Sequence, residues 1–175
     1  MQKTFVCATL AGCAAALTLT SAAAGDSPAI PPDAVLTGQM ATWQYLVGSW
    51  HCDVKIGAMQ GEKATTAEGV IAYAVVLGNA LHSHVTAKDY AADSYVGYVD
   101  AAKSFWMNTI DAFGNLGSET SVDGKLFTGS SQGGAGKIEI RDTLTRPAPA
   151  TIRDVQEFKI GAAWQMASDS TCTRI

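Results

Sequence analysis

Histidine is scarce in this chain. Its 175 residues include three, His51, His82 and His84, so no imidazole comes from the second half. Cysteine is nearly as rare, with four residues, and none forms the closely spaced pairs of a structural zinc site. Charge is thin: Asp, Glu, Lys and Arg make up 16%, and 12 basic residues against 16 acidic ones leave a net charge of −4. No basic cluster interrupts that balance, which argues against nucleic acid and anionic membrane surfaces as partners. A Gly-x-Ser-x-Gly elbow is missing, and with it the usual serine nucleophile. Beyond residue 24 no apolar run approaches the roughly 20 residues of a membrane-spanning helix. Beyond Gly48 no segment keeps a helical apolar period for the length of a helix.

What is present starts with a leader pattern. Lys3 supplies one charge, the stretch from Thr4 to Leu19 has none, and Ser21-Ala22-Ala23-Ala24 offers small residues before Gly25. That layout predicts a signal peptide over 1–24, export to the periplasm or medium, and a soluble mature protein. Leu10-Ala11-Gly12-Cys13 also resembles a lipobox, which would lipidate Cys13 and anchor the chain. Cleavage after Ala24 is preferred, because Cys13 comes early and the apolar run continues past it. Cys52 and Cys172 then remain, and an oxidising compartment predicts one disulfide between them.

Residues 25–36 hold Pro28, Pro31 and Pro32 and read as an extended leader. The domain is expected over 37–175. Met40, Trp43, Leu46 and Val47 recur at helical spacing, Thr37 is placed to cap that short helix, and Gly48 ends it. Short β-prone runs follow, at 49–56, 65–76, 80–87, 95–100, 104–111, 117–122, 125–131, 137–144, 151–160 and 163–174. Gly78-Asn79, Asp123-Gly124 and Gly161 mark turns, and Asp123-Gly124 is the clearest hairpin signal. The Gly-rich run from Gly129 to Gly136 lacks the Lys-Ser/Thr ending of a phosphate loop and reads as a long flexible loop. Many short consecutive strands predict an all-β sandwich or an up-and-down barrel.

The chain ends choose between them. One antiparallel register puts Trp50 opposite Arg174 and Cys52 opposite Cys172, all four side chains on one face. The guanidinium would stack on the indole, and the disulfide would tie first strand to last, closing a barrel and removing its edges.

Gly48-Ser49-Trp50 after a short helix, with a basic residue on the last strand crossing the tryptophan, resembles the calycin superfamily: lipocalins, fatty-acid-binding proteins and nitrobindins. The chain is most similar to bacterial lipocalin-like domains of unknown function. These carry a Leu-x-Gly-x-Trp opening, matched by Leu46 to Trp50, and a Gly-Tyr run with a later Lys and aromatic, matched from Gly97 and Tyr98 through Lys103 to Phe105 and Trp106. Asp111-Ala112-Phe113-Gly114, Gly161 to Trp164, and Arg174 also fit. The resemblance spans about residues 40–175 and implies a closed antiparallel barrel of about ten strands with a short N-terminal helix. Nitrobindins hold haem through a late histidine. None follows His84, so no haem and no other cofactor is expected.

Chemistry is sparse. His82 and His84 alternate on one face, about 7 Å apart, and suit two metal ligands, with His51, Asp53, Glu68 or Asp100 as a third. They equally suit a half-exposed strand face, and no metal is expected. Glu119, Glu139, Asp142, Asp154 and Glu157 offer an acid/base pair or ordinary solvated positions. Tyr73, Tyr95, Phe105, Trp106, Phe127 and Phe158 either line a lumen for an apolar or amphipathic ligand or fill the barrel. The expectation is an exported barrel binding a small apolar or amphipathic molecule. An isomerase or hydrolase in the same lumen, or a ligand-free structural or interaction protein, are the other readings.

Overall fold

The computed structural model describes residues 34–58, 63–134 and 136–175. The expected signal peptide, the lipobox-like run and most of the expected leader lie outside the described residues. The leader's end is corrected: Leu36 is buried in the core, and its N–H donates to Gln44 Oε1 at 2.8 Å.

Ten strands follow one short helix: β1 (Gly48–Ile56), β2 (Thr65–Val76), β3 (Ala80–Ala87), β4 (Tyr90–Val99), β5 (Ser104–Asp111), β6 (Leu116–Ser121), β7 (Leu126–Gly133), β8 (Gly136–Ala148), β9 (Thr151–Ile160) and β10 (Ala163–Arg174). Each pairs antiparallel with its neighbours in sequence, and β1 pairs with β10, closing an up-and-down barrel. Closure gives every strand two partners, so no edge is left to recruit another chain.

The closing register is the one the chain ends imply. Trp50 faces Arg174, and Cys52 faces Cys172 with their Cα atoms 3.9 Å apart and the sulfurs bonded. The Arg174 guanidinium lies 4.5 Å from the centre of the Trp50 ring. It donates to the carbonyls of Val47, at 2.8 Å, and Tyr45. Trp50 Nε1 donates to Leu46 O at 2.7 Å. Gly48 makes this crossing possible: its φ is +123°, and a Cβ there would sit 2.7 Å from Arg174 Nη1.

The helix, Gly38–Leu46, is a 3-10 helix. Met40, Trp43 and Leu46 are three apart, so the period of three aligns them on one buried face. Thr37 makes no side-chain cap. Its N–H donates instead to Asn79 Oδ1 at 2.8 Å, tying the helix to the β2–β3 turn. The helix plugs one end of the barrel. Trp43 stacks on Phe105 at 5.9 Å and meets Phe127 edge-on at 5.7 Å. Burial of each such ring contributes about 1.5–3 kcal/mol. Gly124, at φ +69°, turns the β6–β7 hairpin beneath them.

Three strands, β4, β7 and β8, run beyond the bounds expected from sequence. β4 starts at Tyr90, ahead of Tyr95, because Tyr90, Ala91 and Ala92 pair with β3 despite alanine's weak strand preference. The Gly-rich run is not a long loop: Gly129 to Gly133 complete β7, and Gly136 opens β8. Gly129 is there for close approach, since a Cβ on it would lie 2.0 Å from Ser118 O.

Candidate functional site

Strand alternation fixes what faces the lumen. From Trp50 the register passes through Ile71, Val85 and Ala92 to Asp111. On the same face it brings Met107 opposite Glu119, Glu119 opposite Gly129, and Gly129 opposite Ile140. Asp142 then faces Gln156, and Asp154 faces Ser170, which faces Val54 and returns to β1. Glu119, Asp142 and Asp154 therefore all point inward.

Their parity separates them from the other two acids. Glu139 is three residues before Asp142, and Glu157 three after Asp154, so both stand on the outer face. There Glu139 pairs with Lys159 at 2.8 Å and Glu157 with Arg141 at 2.6 Å. Those are ordinary surface ion pairs.

The inward acids have no such partners. Glu119 is 3% exposed and Asp142 6%. Glu119 Oε2, Asp142 Oδ1 and Asp154 Oδ1 are buried without a hydrogen-bond donor. Gln156 Nε2 reaches Asp142 Oδ2 at a long 3.5 Å. The Glu119 and Asp142 carboxyls are in hydrogen-bonding contact with each other, an arrangement that requires a shared proton. Burial foremost, with Asp154 adding repulsion against a hydrogen bond from Asp142, pushes Glu119 up to about 7. Burial and then Glu119 raise Asp142 well above the carboxylate range, and burial and then Asp142 do the same for Asp154. Burial also raises the Tyr73 hydroxyl, with Asp154 next in effect.

A cavity of about 330 Å³ reaches Glu119, though not Asp142 or Asp154, from the end opposite the helix. Glu119 and Gln156 form polar parts of its wall, Ile138, Ile140 and Phe158 the apolar part, and Tyr90, Asn115 and Lys137 its rim. Tyr90 packs on Phe113 at 6.2 Å, and Phe113 is 71% exposed beside the mouth. The site thus joins an apolar wall to an acidic interior.

The six aromatic positions divide. Phe158 lines the cavity. Tyr73 faces the lumen next to Asp154, while Phe105 and Phe127 pack on Trp43 and fill the helix end. Tyr95 and Trp106 are corrected: their parity puts them outside, where Tyr95 stacks on His82 at 4.7 Å and Trp106 covers Gly97.

The histidines are outside too. His82 Nε2 and His84 Nδ1 each lie 2.8 Å from one oxygen, Oδ1 of Asp93. Asp93 escaped the sequence reading because its strand was started too late. These two contacts hold the Asp93 carboxyl below its ordinary range, the His84 bond first. Among the described residues, a compact set of ligand atoms, all within 4.8 Å of one another, is His51, Asp53 and Glu68, also on the outer face. It is separate from His82 and His84, and its two acids are exposed.

Comparison with known proteins gives no matching family and no matching curated protein.

Proposed function

We propose that this is an exported, calycin-like barrel that binds a small amphipathic molecule in its lumen, tail among Ile138, Ile140 and Phe158 and polar end at Glu119. The observation that carries the reading is the join just described: a cavity of about 330 Å³ with an apolar wall, ending on a buried carboxyl whose Oε2 has no hydrogen-bond partner in the protein. An unpaired buried polar group is costly, about 1–3 kcal/mol, unless something supplies the missing bond. A filled, ligand-free barrel would have no reason to keep that carboxyl beside open space. The bonded Cys52–Cys172 pair supports export, since such bonds persist in oxidising compartments. Aromatic Tyr90 and exposed Phe113 at the mouth suit entry of an apolar tail.

An enzyme in the same lumen is the second reading, favoured by the Glu119–Asp142 contact. Two carboxyls sharing a proton form an acid/base pair when a substrate reaches one of them.

The test is native purification without detergent, organic extraction and mass spectrometry, alongside Gly117→Leu. Gly117 lines the cavity, and a Cβ there meets Thr109 at 3.5 Å and Ile140 at 3.7 Å, which is ordinary contact. The added side chain fills the lumen without straining the strand. A molecule recovered with the natural chain and lost in Gly117→Leu supports binding. Recovery of nothing from either defeats it.

A further inference from the structure

The interior of the barrel has acids but no bases. Among the described residues, the inward positions between the mouth and Arg174 carry no lysine, arginine or histidine. Arg174 is held at the helix end, against Trp50 and the carbonyls of Val47 and Tyr45. Lys137 stays at the rim. A buried carboxylate needs a cation or a proton, and the protein offers Glu119 only the proton it shares with Asp142.

From this geometry we infer that the polar end of the ligand is an ammonium group, so that the barrel selects amphipathic amines, with Glu119 as the carboxylate that receives them. This rests on the ligand-binding reading above and names the ligand's chemical class. An organic cation fits better than a bare metal ion. Glu119, Asp142 and Asp154 do not form a compact set of three ligand atoms, whereas His51, Asp53 and Glu68 do. The cavity next to Glu119 is also walled by Ile138, Ile140 and Phe158, which a metal ion would leave unused. An amine with a short alkyl tail uses both surfaces.

Binding then exchanges one cation for another: the ammonium takes the place of the proton at Glu119, which leaves to solvent. The groups facing Glu119 are Asp142 from β8, Asp154 from β9, Asp111 and Tyr90 near the mouth from β5 and β4, and Lys137 at the rim. Asp154 disfavours a bare Glu119 carboxylate, Asp142 supports one by a hydrogen bond, and a cation beside Glu119 offsets the repulsion from Asp154. Since Glu119 loses its proton near 7, amine affinity rises with pH through that value. Alkylamines stay protonated well above it.

The experiment is calorimetric titration of the oxidised chain with octylamine, 1-octanol and octanoate at pH 5 and pH 8, in buffers of different ionisation enthalpy. Octylamine should bind at least roughly tenfold tighter than octanol at pH 8, where Glu119 is already mostly ionised and little proton is released, and lose that preference at pH 5, where binding must displace the proton. Glu119→Gln should keep octanol and lose the preference for the amine. Asp142→Ala removes the hydrogen bond that favours the Glu119 carboxylate, so it should keep the preference and move its onset to higher pH, which a merely structural role would not do. Octanol or octanoate binding as well as octylamine at pH 8 overturns the ammonium assignment and leaves the binding reading standing. Failure of all three to bind, or binding unaltered in Gly117→Leu, overturns both.

Discussion

Glu119 and Asp142 belong to strands that do not pair, β6 and β8, and touch inside the barrel across Gly129, the β7 residue that contributes no side chain to the gap. Gly129 is fixed there by sterics, because a Cβ would lie 2.0 Å from Ser118 O and 2.7 Å from Glu119 Cα. Gly129→Ala should therefore destabilise by about 1–3 kcal/mol or more, the usual cost of overpacking against unyielding neighbours. Urea unfolding measures it. Unchanged stability would mean that β6 and β7 are further apart than described.

The disulfide joins residues separated by 120 positions. On the chain-entropy view such a loop is worth about 5 kcal/mol, and removal of a native disulfide commonly costs about 2–5 kcal/mol. Cys52→Ala with Cys172→Ala should lower stability by that much in denaturant titration. The unreduced protein should weigh two hydrogens less than the dithiol, with peptides containing Cys52 and Cys172 linked.

The luminal acids make stability fall as pH rises. Glu119 is raised from its ordinary 4.5 to about 7 in the fold. Between those values the folded chain holds a proton that the unfolded chain has released, so stability is lost across that window as pH increases. The loss is on the order of 3–4 kcal/mol at most. Asp93, Asp123, Glu157 and Asp169 are shifted downward and act the other way, at lower pH. The difference between the natural chain and Glu119→Gln isolates the effect: the variant should gain stability relative to the natural chain from pH 5 to pH 8. A difference independent of pH would contradict a buried Glu119 carboxyl that holds its proton to about 7.

Much of this architecture is legible in sequence, for physical reasons. Alternation and turn residues place most strands, and the Trp50–Arg174 and Cys52–Cys172 pairs close the barrel, because opposing residues at both ends satisfy a single register. The site is harder. Glu119, Asp142 and Asp154 look no different from Glu139 and Glu157 until the pairing of every strand says which parity faces in. Tyr95 and Trp106 were assigned inward for the same lack. Gly129 reads as a loop residue because sequence does not distinguish a glycine that permits a turn from one that permits close approach.

His82 and His84 already share Asp93 Oδ1, on the barrel's outer face. Elemental analysis of purified protein should give zinc, iron and copper below one equivalent, unaffected by His82→Ala. One tightly held equivalent, lost in that variant, would make the cluster a metal site.

Everything proposed for this barrel depends on a small molecule binding in its lumen. Amide chemical-shift mapping with 1-octanol, on the natural chain and on Gly117→Leu, tests it most directly. Shifts are expected at Tyr90, Gly117, Glu119, Ile140 and Phe158, saturating with the alcohol and absent from the filled variant. Shifts confined to outward residues such as Tyr95 and Trp106, or the same shifts in Gly117→Leu, would contradict it.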